Sequence, residues 1–178
     1  QLHQAHLELA KDFMSAGLLD RAERLLEDLI VDAPQLNKTA TLLLLDIFQD
    51  EKEWQRAVVK AEQLLPKKGL LKSPVADPII IKSLSHYCCE LAEQALLKND
   101  YHTARRHLRK DLSYDKLSVR ASLLLAKAEY ETGHYDKAVT SLHKIRHQNL
   151  IYVSESINLL KLCCAKLNDP QGFQHYLK

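Results

Sequence analysis

Four times along the chain a glycine or polar residue is followed two positions later by leucine or an aromatic, and three positions after that by alanine. The copies are Gly17-x-Leu19-x-x-Ala22, Lys52-x-Trp54-x-x-Ala57, Asn99-x-Tyr101-x-x-Ala104 and Gly133-x-Tyr135-x-x-Ala138. Their alanines lie 35, 47 and 34 residues apart, so two intervals share one period and the third carries an insertion. A unit of this length cannot enclose a core of its own; it must lay its apolar stripe against the next unit. The motif also says what each unit is. Glycine or asparagine at its head tolerates the left-handed backbone that ends one helix, and the small alanine leaves room for a close neighbour at the start of the next. Only four glycines and five prolines occur in 178 residues, too few for a set of tight β-turns. With 46% apolar residues the core is well supplied, and the expected fold is all-α, built of antiparallel helix pairs.

The spacing places helix pairs over residues 3–36, 38–71, 85–118 and 119–152, and a shortened fifth over 153–178. Pro66, Gly69, Ser73, Pro74, Asp77 and Pro78 crowd between the second and third pairs, predicting an extended loop over 72–84. This grammar resembles the tetratricopeptide repeat. In the first pair Leu9, Ala10 and Phe13 precede the turn, Leu26 and Leu29 follow it, and Pro34 stands at the closing position. Ala92 and Ala126 match Ala10, whereas Leu45 takes that place in the second pair and requires adjusted packing there. The resemblance implies a right-handed superhelical solenoid. An uncovered apolar face on the last pair makes self-association through that end an expectation.

Longer segments carry a narrower likeness: LAKDFMSAGLLDRAERLLEDL from Leu9, EWQRAVVKAEQLL from Glu53, HYCCELAEQALL from His86 and VSESINLLKLCC from Val153. They resemble the lipopolysaccharide assembly protein B family. That resemblance implies a region at the cytoplasmic face of the bacterial inner membrane, itself soluble, with an N-terminal membrane anchor and a C-terminal rubredoxin-like zinc or iron knuckle outside these residues. Gln1 is no natural start, which fits a portion of a longer chain. It further implies protein partners, a membrane-bound ATP-dependent protease and the deacetylase that commits cells to lipid A synthesis, so that the region limits lipopolysaccharide production as an adaptor. A repeat scaffold of another pathway, or the repeat arm of a glycosyltransferase, stays open beside this reading.

In tetratricopeptide arrays five first-helix positions line the groove that receives a partner. By that resemblance they fall on Gln4, Leu7, Lys11, Met14 and Ser15 in the first pair, and on Thr39, Leu42, Asp46, Gln49 and Asp50 in the second. The third supplies His86, Cys89, Glu93, Leu96 and Leu97, and the fourth Arg120, Leu123, Lys127, Tyr130 and Glu131. Leucines, an aromatic and charges of both signs suit a peptide with apolar anchors and polar register marks, with Met14, Leu97 and Tyr130 as the anchors. The asparagines of a chaperone-tail clamp are missing from these positions.

The remaining chemistry is sparse. Twenty-five Lys and Arg against 23 Asp and Glu give a formal charge of +2, too little to steer the chain onto nucleic acid, and no aromatics interleave the basic residues. The densest basic run, Arg105, Arg106, His107, Arg109 and Lys110, is either a solvated face or a contact for an anionic membrane or acidic partner. His3 with His6, and His143 with His147, share helical faces, yet neither pair has the further ligands of a zinc site. Cys88-Cys89 and Cys163-Cys164 read as free thiols, and Cys88 and Cys89 at a helix start permit a stabilised thiolate. No phosphate-binding glycine loop, Gly-x-Ser-x-Gly elbow or HExxH occurs, so no catalytic residues and no cofactor are expected within these residues. No apolar run is long enough to span a bilayer.

Overall fold

The computed structural model describes residues 1–66, 75–149 and 152–177. Among the described residues the regular structure is ten α-helices and short 3-10 turns, with no strand. The chain divides into two compact units, Gln1–Ile80 and Ile81–Lys178.

The first unit holds α1 (Leu2–Ser15), α2 (Leu19–Asp32), a 3-10 turn (Pro34–Leu36), α3 (Asn37–Asp50) and α4 (Trp54–Glu62). Each helix packs on the next. Ala22 and Ala57 are fully buried, as are Ala10, Leu26, Leu44 and Ile47, so the motif alanines sit where helices approach most closely. Leu45, the large residue at a small-residue position, is also in the core, 2% exposed.

The second unit holds all but the first three residues of α5 (Pro78–Leu97), then α6 (Tyr101–Tyr114), α7 (Val119–Glu131), α8 (Tyr135–Gln148), α9 (Val153–Lys166) and α10 (Pro170–Leu177). Two apolar clusters run through it. Cys89, Ala92, Leu108, Ala121 and Leu125 join α5, α6 and α7. Ala126, Ala138, Leu142, Ile145, Leu160 and Cys163 join α7, α8 and α9. Because each cluster takes side chains from two successive pairs, neither pair closes its core alone.

The turns inside the pairs share one device. Gly17, Lys52, Asn99, Gly133 and Asn168 all have φ between +54° and +76°, and each is five residues before the position of the motif alanine. In each turn this residue's N–H bonds a carbonyl three back, and the next N–H bonds a carbonyl five back; Gly17 to Met14 at 3.0 Å and Leu18 to Phe13 at 2.8 Å are one example. This pair of bonds satisfies the last carbonyls of the first helix and reverses the chain. Asn168 places the fifth pair in the same scheme, with Phe173 where the others have alanine.

One boundary differs from expectation. The loop predicted over 72–84 is shorter at its far end, because α5 begins at Pro78. Proline fits the first helical position, where its missing N–H is not needed, and the Asp77 carboxylate accepts the Ile79 N–H at 2.9 Å. The prolines that signalled a loop therefore include a helix starter. Residues 67–74 of that stretch lie outside the described residues.

Candidate partner-binding face

On α1 and α3, Gln4, Ser15, Thr39, Asp46, Gln49 and Asp50 are exposed, whereas Lys11, Met14 and Leu42 are half-buried. Lys11 is paired with Glu8 at 2.9 Å on its own helix. Partial desolvation by the surrounding helices, and then the neighbouring Asp50 one turn along, push the Asp46 carboxyl above its ordinary range. Leu7 corrects the sequence reading: at 3% exposure it belongs to the core and offers nothing to a partner. The repeat register fixes the side of the helix a residue leaves from, but not whether a neighbouring helix covers it.

In the second unit, the positions converge. Glu93, Leu96 and Leu97 of α5, Asn99 and Tyr101 of the following turn, and Lys127 and Glu131 of α7 surround one hollow of about 470 Å³. Leu97 is 86% exposed there, an apolar side chain left in water beside charges of both signs. The Tyr101 hydroxyl bonds the Asn99 side-chain carbonyl at 3.1 Å, which steadies the rim. A second hollow, about 420 Å³, is lined by Val119, Arg120, Leu123, Leu124 and Tyr152. Arg120 also reaches Glu90 at 2.7 Å and Glu93 at 2.9 Å, so one guanidinium tethers the acidic rim of the first hollow. Tyr130 does not stand free. Its ring packs on Tyr135 with centroids 5.4 Å apart and leans on the α7–α9 cluster, so this expected anchor is half-buried. Cys89 is buried.

Sequence reasoning missed Asn99, Tyr101, Val119, Leu124 and Tyr152 as lining residues. Asn99 and Tyr101 had been assigned to the repeat motif alone, although a turn that ends beside the first-helix face also forms its edge.

All four cysteines are free thiols, as expected, but the helix-start position expected for Cys88 and Cys89 is not found. Cys88 and Cys89 lie in the middle of α5, beyond reach of its free N-terminal amides, and all four thiols are buried. Burial pushes the Cys89 thiol well above its ordinary range, helped by Asp111, and raises Cys163 to about 11. These are packing residues, the opposite of an activated nucleophile. Among the described residues no three His, Cys, Asp or Glu side chains gather as a metal site. The side chain of His147, half of one histidine pair, lies outside the described ones. No helix among the described residues is long and apolar enough to cross a membrane.

Asp111 of α6 is a fully buried carboxyl of this unit. Its Oδ2 accepts the Cys89 thiol at 3.0 Å and the Ser118 hydroxyl at 3.3 Å, while Oδ1 has no partner among the described residues. Burial raises its titration, and the bonds from Cys89, Ser85 and Ser118 oppose that only in part. A carboxyl held above its ordinary range favours the fold while protonated. That contribution is complete below the ordinary carboxylate range and is lost as pH climbs through the raised value. Asp111→Asn is therefore expected to match the parent near pH 4 and to exceed it in stability near pH 7. Urea midpoints at the two pH values check this; identical pH responses of parent and variant contradict it.

The family profile described as tetratricopeptide repeat matches residues 7–69 and 89–145. Lipopolysaccharide assembly protein B of Escherichia coli strain K12 is 34% identical over 171 residues, 96% of this chain and 42% of that protein. The protein of the same name from Haemophilus influenzae is 38% identical over 173 residues, 97% of this chain and 41% of its own length. The chain thus spans about two fifths of the curated relatives it matches. Among solved structures, YrrB, a repeat protein described as having an unusual peptide-binding site, aligns with TM-score 0.52 over 97% of this chain and 81% of its own, at 12% identity. That likeness is one of fold.

Proposed function

We propose, from the premise that this chain belongs to the tetratricopeptide-repeat family, that it is a non-catalytic scaffold holding other proteins on its first-helix face. The observation that carries this reading is the α5–α7 hollow, where exposed Leu97 and half-buried Leu96 lie between Glu93, Lys127 and Glu131. An apolar floor supplies binding energy, and flanking charges of both signs fix the register of a peptide or helix laid across it.

The finer reading is that of an adaptor in lipopolysaccharide biosynthesis. Identity of 34% and 38% to Lipopolysaccharide assembly protein B, sustained along nearly the whole chain, supports it. In this reading the region works at the cytoplasmic face of the inner membrane and brings a membrane-bound ATP-dependent protease to the deacetylase that commits cells to lipid A.

Leu97→Asp is the discriminating variant, since a residue so exposed contributes little to the fold. Titration of the purified deacetylase, and separately of the protease, against parent and variant is expected to show a loss of affinity of about tenfold or more for at least one of them. The thermal transition should not move. Unchanged affinity places the contact elsewhere, and no association of either protein with the parent removes the adaptor reading.

A further inference from the structure

On the other side of the same pairs, the second helices form a hollow of a different kind. His102, Arg105, Arg106 and Arg109 lie at helical spacing on one face of α6, and α8 adds Lys137 with His134 just before its first turn. Together they line about 470 Å³. With the histidines neutral, four permanent cations face one another across this space. The acids that answer them are Glu129 beneath and Asp100 at the head of α6. Asp100 is engaged as a cap, accepting the Thr103 N–H at 3.1 Å. Among the described residues only Glu129 forms ion pairs with the permanent cations here, so positive charge outnumbers its paired acid within a single concavity.

The arrangement is built rather than merely solvated. The Glu129 side chain is 3% exposed and divides its oxygens, Oε2 to Arg105 at 3.2 Å and Oε1 to Arg109 at 3.1 Å. Arg105 also donates to the Thr132 hydroxyl at 3.2 Å. A guanidinium carries five donors, so each arginine is held in place with further N–H groups to spare. One arginine suffices to neutralise a buried carboxylate, yet two are aimed at it. Among the described residues neither Arg106 nor Lys137 has an ion-pair partner, and nothing in the fold requires like charges here.

We propose that this hollow binds a phosphoryl group of a phosphorylated ligand. Held arginines with free forks match the planar triads of phosphate oxygens, and Arg106 and Lys137 supply the charge that a dianion demands. A carboxylate carries a single charge and two acceptor oxygens, which leaves most of these donors unused. The proposal does not rest on the first-helix face, and the Leu97→Asp variant should bind the phosphoryl ligand as the parent does.

The test titrates the whole chain, at low ionic strength, with inorganic pyrophosphate and with vesicles of phosphatidylcholine carrying phosphatidic acid. The comparison protein is Arg106→Ala/Lys137→Ala, whose two side chains hold no ion pair, so its thermal transition should stay put. An expected loss of about tenfold in affinity on the double substitution supports the proposal. Loss seen with pyrophosphate assigns a soluble phosphorylated ligand; loss seen with the vesicles alone assigns a lipid headgroup. No binding of either probe, binding unchanged by the substitutions, or equal binding of a polyglutamate peptide overturns it.

Discussion

Phe48→Ala should destabilise the first unit by about 3–5 kcal/mol, the range found when a large buried aromatic is truncated. Phe48 is 1% exposed at the end of α3, one of the largest fully buried side chains of the chain. It also carries the Arg56 guanidinium 4.3 Å above its ring. That guanidinium is held in turn by Glu23 of α2 and by Glu53 at 2.6 Å. Removing the ring therefore leaves a cavity and also takes away the platform of an ion-pair network that ties α2 to α4. Chemical denaturation followed by hydrogen exchange in α3 is the measurement, since arrays of repeats need not unfold in one step. A loss under about 1 kcal/mol would mean that the pocket collapses around the gap, contrary to a close-packed core.

Glu129→Ala should lower the stability of the second unit by about 2–4 kcal/mol, because cutting one partner from a buried pair strands the other charge. Glu129 stands three residues after Ala126 just as Phe48 stands three after Leu45, so the two occupy the same register of their pairs. One is satisfied by apolar packing and the other by two arginines. Arg105, with 19% of its side chain exposed, suffers most from the change, and Arg109, 62% exposed, turns to solvent. Glu129→Gln keeps an acceptor for Arg105 and should fall between parent and alanine variant. If alanine and glutamine variants both melt with the parent, the cluster contributes no stability.

How far the sequence reached can be judged residue by residue. Ala22, Ala57, Ala104 and Ala138 are each fully buried, and the residue five before each takes a left-handed φ. Those features are local, since a small side chain and a reversed turn are demanded by two adjoining helices, and local demands are written in adjacent residues. Lys52 obeys the same rule without glycine or asparagine, so period found it where composition did not. Leu7 was misjudged because coverage depends on what a neighbouring helix brings. Pro78 was misjudged because proline marks both loops and helix starts. The basic run was read from α6 alone. Lys137 joins it from 28 residues beyond Arg109, a distance closed only by the stacking of pairs; testing each charged run against its counterpart one period on is the signal that was available.

The central claim is that successive helix pairs share their apolar stripes. Methyl nuclear Overhauser spectroscopy on the intact chain tests it most directly. Side chains of α8, Leu142 and Ile145, should give cross-peaks to Leu160 of α9, and Leu108 of α6 should give them to Ala121 or Leu125 of α7. Cross-peaks confined within each pair, with none between one pair and the next, would contradict the shared core and the binding face that rests on it.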